Sequence, residues 1–201
     1  MSFEEAKVQV DVYQRPKSGN HECGDSYVYY ESDNQFICAL ADGLGSGRFA
    51  KESSEIVVDV IRSNAHHSIE ELIIKCNEVL LSKRGVVLGI IKIDFDKQRF
   101  SYTTVGNIGI IVVDHSGKKV RNIPNAGYLS GYARPYKIKH ETLPKDALFL
   151  MYSDGVNERF FHDRSINSRS CKEIIDYFKG VYGDQIDDDT TLIAFQYHGD
   201  G

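Results

Sequence analysis

The chain has 201 residues, 41% of them hydrophobic, which suits a single domain spanning 1–201 with a sizeable core. Lys and Arg number 24 against 29 Asp and Glu, and the net charge of −5 offers no electrostatic footprint to nucleic acid or an anionic membrane. No apolar run reaches the ~18 residues of a membrane span, the first residues do not read as a signal peptide, and four scattered cysteines without a C-x-x-C read as reduced thiols of a cytoplasmic protein.

Val8, Val10 and Val12 alternate with polar neighbours, so residues 7–14 read as a half-buried strand. A loop with Pro16, Gly19 and Asn20 leads to Cys23-Gly24-Asp25, then to a strand at 26–31. After the turn Ser32-Asp33-Asn34, the run Phe36 to Ala41 predicts a buried strand that stops at Asp42, followed by a turn with alternating glycines, Gly43, Gly45 and Gly47. The period then changes. Ala50, Val57, Val58, Ile61 and Ala65 share one face of a helix over about 48–64. Ser68 and Glu71 form a capping box that opens a second helix, with Ile69, Leu72, Ile73, Cys76 and Leu80 inward.

From Val86 onward the pattern is strand. Residues 86–94 and 98–105 read as one hairpin, 108–113 and 118–123 as another. A Gly-rich segment over 125–131 precedes strands at 136–142 and 147–153. Residues 157–169 are polar and irregular, a loop or short helices. Ser170 and Glu173 repeat the capping box and open a helix to about 179, with Ile174, Ile175 and Phe178 inward, and 191–197 closes the chain as a strand. This order lacks regular βαβα alternation, so the fold class is α+β, a sandwich of mostly antiparallel sheets with helices outside.

Chemistry concentrates in aspartates at strand ends. Asp42-Gly43 follows one apolar strand, Asp154-Gly155 follows another, Gly24-Asp25 precedes a third, and Asp187-Asp188-Asp189 abuts the last. Each Asp-Gly taken alone is a turn signal. Taken together, buried-strand carboxylates need a counter-charge, and oxygen-only ligands favour hard cations such as Mg²⁺ or Mn²⁺. A dinucleotide fingerprint would need Gly or Ala where Arg48 stands, and an EF-hand fails on ligand spacing. No G-x-S-x-G is present and no cysteine has Arg six residues later, so a hydrolase built on this chain most simply uses activated water.

Gly24-Asp25, Ala41-Asp42-Gly43-Leu44-Gly45-Ser46-Gly47, Val105-Gly106-Asn107, Ser153-Asp154-Gly155-Val156 and Asp188-Asp189-Thr190-Thr191 occur in order over essentially the whole chain. In that order and context they resemble the metal-dependent serine/threonine phosphatases of type 2C (PPM), and within them the bacterial sporulation and stress-response branch. The resemblance implies an αββα sandwich and two Mn²⁺ or Mg²⁺ ions. Asp42 would bridge the ions, the Gly43 carbonyl would bind one, Asp154 and Asp188 would complete the second, and Asp25 would coordinate directly or through water. These four carboxylates roughly offset two dications. The glutamate that precedes the Asp25 position in many members is Gly24 here, and the phosphate-binding arginine of the family has no match near Asn20; Arg15, Lys17 and His21 are the candidates to replace it.

The implied activity is hydrolysis of phosphoserine, or phosphothreonine, by metal-activated water. The implied substrates are phosphorylated STAS-domain proteins of the stressosome, with damping of the sigma-B stress response as the outcome. The chain is expected to work as a monomer, without nucleic acid or membrane. Two alternatives are a phosphatase for an anti-anti-sigma factor and a catalytically weak binding protein that keeps the fold.

Overall fold

The computed structural model describes residues 6–132, 135–163, 166, 169–183 and 187–199. Within them ten strands form two five-stranded sheets, antiparallel at every strand pair. The first sheet has the order β1-β10-β9-β6-β7, built from β1 (Val8–Arg15), β10 (Thr190–Tyr197), β9 (Leu148–Tyr152), β6 (Gly109–Val113) and β7 (Lys119–Arg121). The second has the order β2-β3-β4-β5-β8, built from β2 (Asp25–Ser32), β3 (Gln35–Gly43), β4 (Val86–Asp94), β5 (Arg99–Val105) and β8 (Lys139–Thr142).

Strand alternation sorts the side chains into three cores. Phe36, Cys38 and Leu40 of β3 meet Phe149, Met151, Ile193 and Phe195 of the opposite sheet in the central core. Phe149 stacks on Phe195 at 4.9 Å between ring centroids and meets the edge of Phe100 at 5.2 Å. The other face of β3 (Ile37, Ala39, Ala41) packs under α1 (Arg48–Ser63) and α2 (Ile69–Val79) through Val57, Ile61 and Leu72. Both faces of β3 are therefore covered, which is why its sequence reads as a continuous apolar run. The outer face of the first sheet (Leu150, Leu192, Ala194) packs under α3 (Cys171–Tyr182) and a 3-10 turn at Glu158–His162. Helices, sheet, sheet and helix give the expected αββα sandwich.

Both capping boxes form: Ser68 and Ser170 each accept from the N–H three residues on, and Glu71 and Glu173 return the bond to the cap N–H. Several boundaries differ from the sequence reading, three of them with a clear cause. The strands expected over 118–123 and 136–142 are shorter, β7 and β8, because each is a sheet edge with a neighbour on one side only. Helix α3 runs on to Tyr182, whose ring packs on Phe178 at 5.6 Å and Phe160 at 6.0 Å. Of the irregular segment 157–169, positions 164, 165, 167 and 168 lie outside the described residues. All four cysteines are buried and free, and among the described residues no helix is long and apolar enough to cross a membrane.

Candidate active site

The same alternation that builds the central core delivers acid to one end of it. Asp42 has the parity of Phe36, Cys38 and Leu40, so it continues the inner face of β3. Asp25 is its cross-strand partner in β2. On the opposing sheet, Ser153 continues the inner series of Phe149 and Met151, while Thr191 and Asp189 continue that of Ile193 and Phe195. Polar groups from two sheets thus occupy the layer just beyond the last apolar one.

Gly43 lets this end form. A Cβ there would lie 2.0 Å from the Ala50 carbonyl oxygen, so only glycine allows the start of α1 to settle against β3. The Gly43 N–H donates to the Gly24 carbonyl at 3.3 Å, tying the two acidic strand ends together.

Asp25 is fully buried. Its Oδ2 accepts from Ser153 Oγ at 2.7 Å and from Thr191 Oγ1 at 2.7 Å, and Gln14 Nε2 donates to that threonine at 3.0 Å. The clamp fixes the carboxylate so that Oδ1 is left with no partner among the described residues. Burial pushes Asp25 up to about 6, the two hydroxyls oppose this, and Asp189 and Asp154 add to it. Asp42, half-buried, is pushed up to about 8 by burial first and then by Asp25, Asp154, Asp189 and Asp188. Burial first, and then the neighbouring carboxylates, produce these shifts.

A cavity of about 800 Å³ opens over this layer, lined by Asp42, Asp154, Asp188 and Asp189, with Lys17 the one cationic residue among the described residues of its lining. Asp154 is exposed and accepts from Asn107 Nδ2 at 2.9 Å. Asp188 lies 3.4 Å from Lys17 Nζ and accepts from the Asp189 N–H at 2.9 Å. Among the described residues no three Asp, Glu, His or Cys side chains are gathered tightly enough to hold an ion as they stand; Asp154 and Asp188 each give an oxygen to a protein donor instead.

The three candidate phosphate ligands part company. Lys17 lines the cavity. The Arg15 guanidinium donates to the Gly183 carbonyl beyond the end of α3, and His21 is exposed; neither lines the cavity. Sequence reasoning passed over Ser153 and Thr191 as orienting donors and Asp189 as the buried member of its triplet. Parity with the following strand carried that signal: positions 189 and 191 share the face of Ile193, whereas 188 does not.

The donor set fits hard divalent cations. It is all oxygen, partly desolvated, and includes a buried carboxylate oxygen that no protein group satisfies. An αββα sandwich with such an acidic cleft at the rim of its two sheets is the architecture of the type 2C, metal-dependent phosphatases. A family model described as stage II sporulation protein E (SpoIIE) matches residues 32–198, and the chain belongs to this SpoIIE family of phosphatases. Phosphoserine phosphatase RsbX of Bacillus subtilis (strain 168) is 37% identical over 193 residues, 96% of each chain. A crystal structure of RsbX in complex with magnesium superposes with a TM-score of 0.87 at 37% identity, over 96% of this chain and 98% of that one. The phosphatase domain of the cell fate determinant SpoIIE from Bacillus subtilis shares the fold at a TM-score of 0.77 and 18% identity, over 96% of this chain and 64% of that one.

Proposed function

We propose that this chain is a cytoplasmic protein phosphatase that uses two divalent cations, Mn²⁺ or Mg²⁺, to hydrolyse phosphoserine on STAS-domain proteins of a stressosome, and so damps a general stress response. The observation that carries the reading is the buried, clamped Asp25 carboxylate with one orphaned oxygen, paired across the strands with Asp42, which lines a cleft where acid far outweighs base. A fixed cation is the simplest partner for such a group. The 37% identity to RsbX and the magnesium complex of that protein support both the substrate class and the metal.

In this reading Asp25, Asp42, Asp154, Asp188 and the Gly43 carbonyl hold the ions. Once bound, the ions supply Lewis-acid activation of water and the positive charge that makes a phosphate dianion tolerable among carboxylates. The residues themselves divide the remaining work. Ser153 and Thr191 keep Asp25 in one orientation through two hydrogen bonds. Asn107 orients Asp154. Lys17, on the loop after β1, leaves Asp188 to pair with the substrate phosphate, as a point charge where a guanidinium fork is absent. The wall of Leu44, Val87, Pro124 and Tyr128 offers apolar surface for the polypeptide around the phosphoserine.

The test is phosphate release from a phosphoserine-bearing STAS-domain protein with and without Mn²⁺. Release should require the metal, and Asp42→Asn should lower it by about 100-fold or more, since even outer partners of a metal ligand are worth about 10- to 100-fold. Wild-type turnover by Asp42→Asn at saturating Mn²⁺ would sink the reading.

A further inference from the structure

Asp189 is 5% exposed, its Oδ2 has no partner among the described residues, and it lines the cavity beside Asp42. Its other oxygen, Oδ1, accepts the Lys17 N–H at 2.8 Å, which fixes the carboxylate and leaves Oδ2 directed elsewhere. The place that Oδ2 occupies is telling. It lies 2.7 Å from where a Cβ on Gly24 would stand, so a side chain at 24 and the Asp189 carboxylate compete for one volume. That contact places Oδ2 at the β2 end of the cleft, and its charge acts on Asp25, Asp42 and Cys23. Asp189 Oδ2 reaches the cavity, and Asp25 Oδ1, on the residue that follows Gly24, is a second buried carboxylate oxygen without a partner among the described residues. Each is a hard oxygen donor pinned by its sister oxygen.

We infer that Asp189 is itself a cation ligand, reaching across from the first sheet into the space that Gly24 leaves open, and that with Asp25 it forms the β2-side subsite of the metal centre. This rests on the metal-dependent reading above. On it, Gly24 is a permissive residue: the missing side chain makes room for a carboxylate delivered from the opposite end of the chain. Lys17 then hangs from the same aspartate by its backbone, so the cationic loop and the subsite are positioned as one unit.

Asp189→Asn separates ligation from loop anchoring, because the amide keeps an acceptor for the Lys17 N–H and loses the charge. Mn²⁺ binding to wild-type and variant protein is followed by equilibrium dialysis and by the loss of the free-Mn²⁺ electron paramagnetic resonance signal, with no substrate present. Wild type should take two ions; Asp189→Asn should take one with little change and the other about 10-fold or more weaker, the scale set by carboxylate partners of metal sites. Two ions bound by Asp189→Asn at wild-type affinity overturns the assignment of Asp189 and leaves the metal reading standing. A wild-type chain that binds no Mn²⁺ overturns both. If Asp189→Asn does not fold, Gly24→Ala carries the test: its Cβ presses on Oδ2 and should weaken the same ion several-fold, and unchanged affinity for both ions overturns the inference.

Discussion

At the scale of the residue, the cleft is a cluster of like charges held together by the rest of the molecule. Asp25 and Asp42 have folded-state values raised above the ordinary carboxylate range, to about 6 and about 8. A raised carboxylate contributes stability that is complete below its unfolded value and is lost as pH rises through the folded one. Chelated protein should therefore show a falling melting temperature between about pH 4 and pH 8 from these two groups. Asp42→Asn should flatten that fall, and added Mn²⁺ should restore stability at the alkaline end; a thermal scan across pH with and without chelator reads all three. Lys17→Ala should raise KM for the phosphoprotein by more than it lowers kcat if, as proposed, the lysine pairs with the phosphate and not with the attacking water; steady-state kinetics separate the two. Asp25, Asp42, Asp154 and Asp188 stand out in the sequence because charge at the end of an apolar run is anomalous. Asp189 did not, because three consecutive aspartates look interchangeable until the strand that follows assigns each one a face.

At the scale of the element, the tight contact between β3 and α1 decides whether the site exists. Ala50 approaches Gly43 so closely that Gly43→Ala must push the start of α1 away or tilt the end of β3. The expected result is a loss of several-fold or more in Mn²⁺ affinity together with a lower melting temperature, whereas an alanine at Gly180, with open space around it, should leave Mn²⁺ affinity unchanged. The elements themselves were largely readable. Periodicity located the helices, and the serine–glutamate pairs marked two of their starts. Edge strands β7 and β8 were overextended because alternation in a sequence does not reveal that a strand has a neighbour on one side only. The carboxylate ends of β2 and β3 were placed just outside the ladder, yet Asp25 and Asp42 are paired within it. Pairing register is a tertiary property, and only the folded sheet supplies it.

At the scale of the whole molecule, the central core sets the geometry of the cleft, because its thickness fixes how far apart the two sheets carry their carboxylates. Phe149, with no exposed surface and rings of Phe195 and Phe100 against it, is the keystone of that layer. Phe149→Ala should cost about 3–5 kcal/mol of unfolding free energy, measured by urea denaturation, as the cavity left behind lets the sheets sag. The sandwich class followed from the order of elements, but which strands lie side by side did not: β1 pairs with β10 from opposite ends of the chain. Asp25 and Asp42 hang from one sheet, while Asp154, Asp188 and Asp189 border β9 and β10 in the other. Any ion that all of them share would act as a rivet through both leaves of the sandwich, adding its binding energy to the fold. A metal-starved chain would then be not merely idle but looser at its rim, and easier prey for proteolysis, so that the supply of divalent ions governs how much of the protein persists as well as how fast it works.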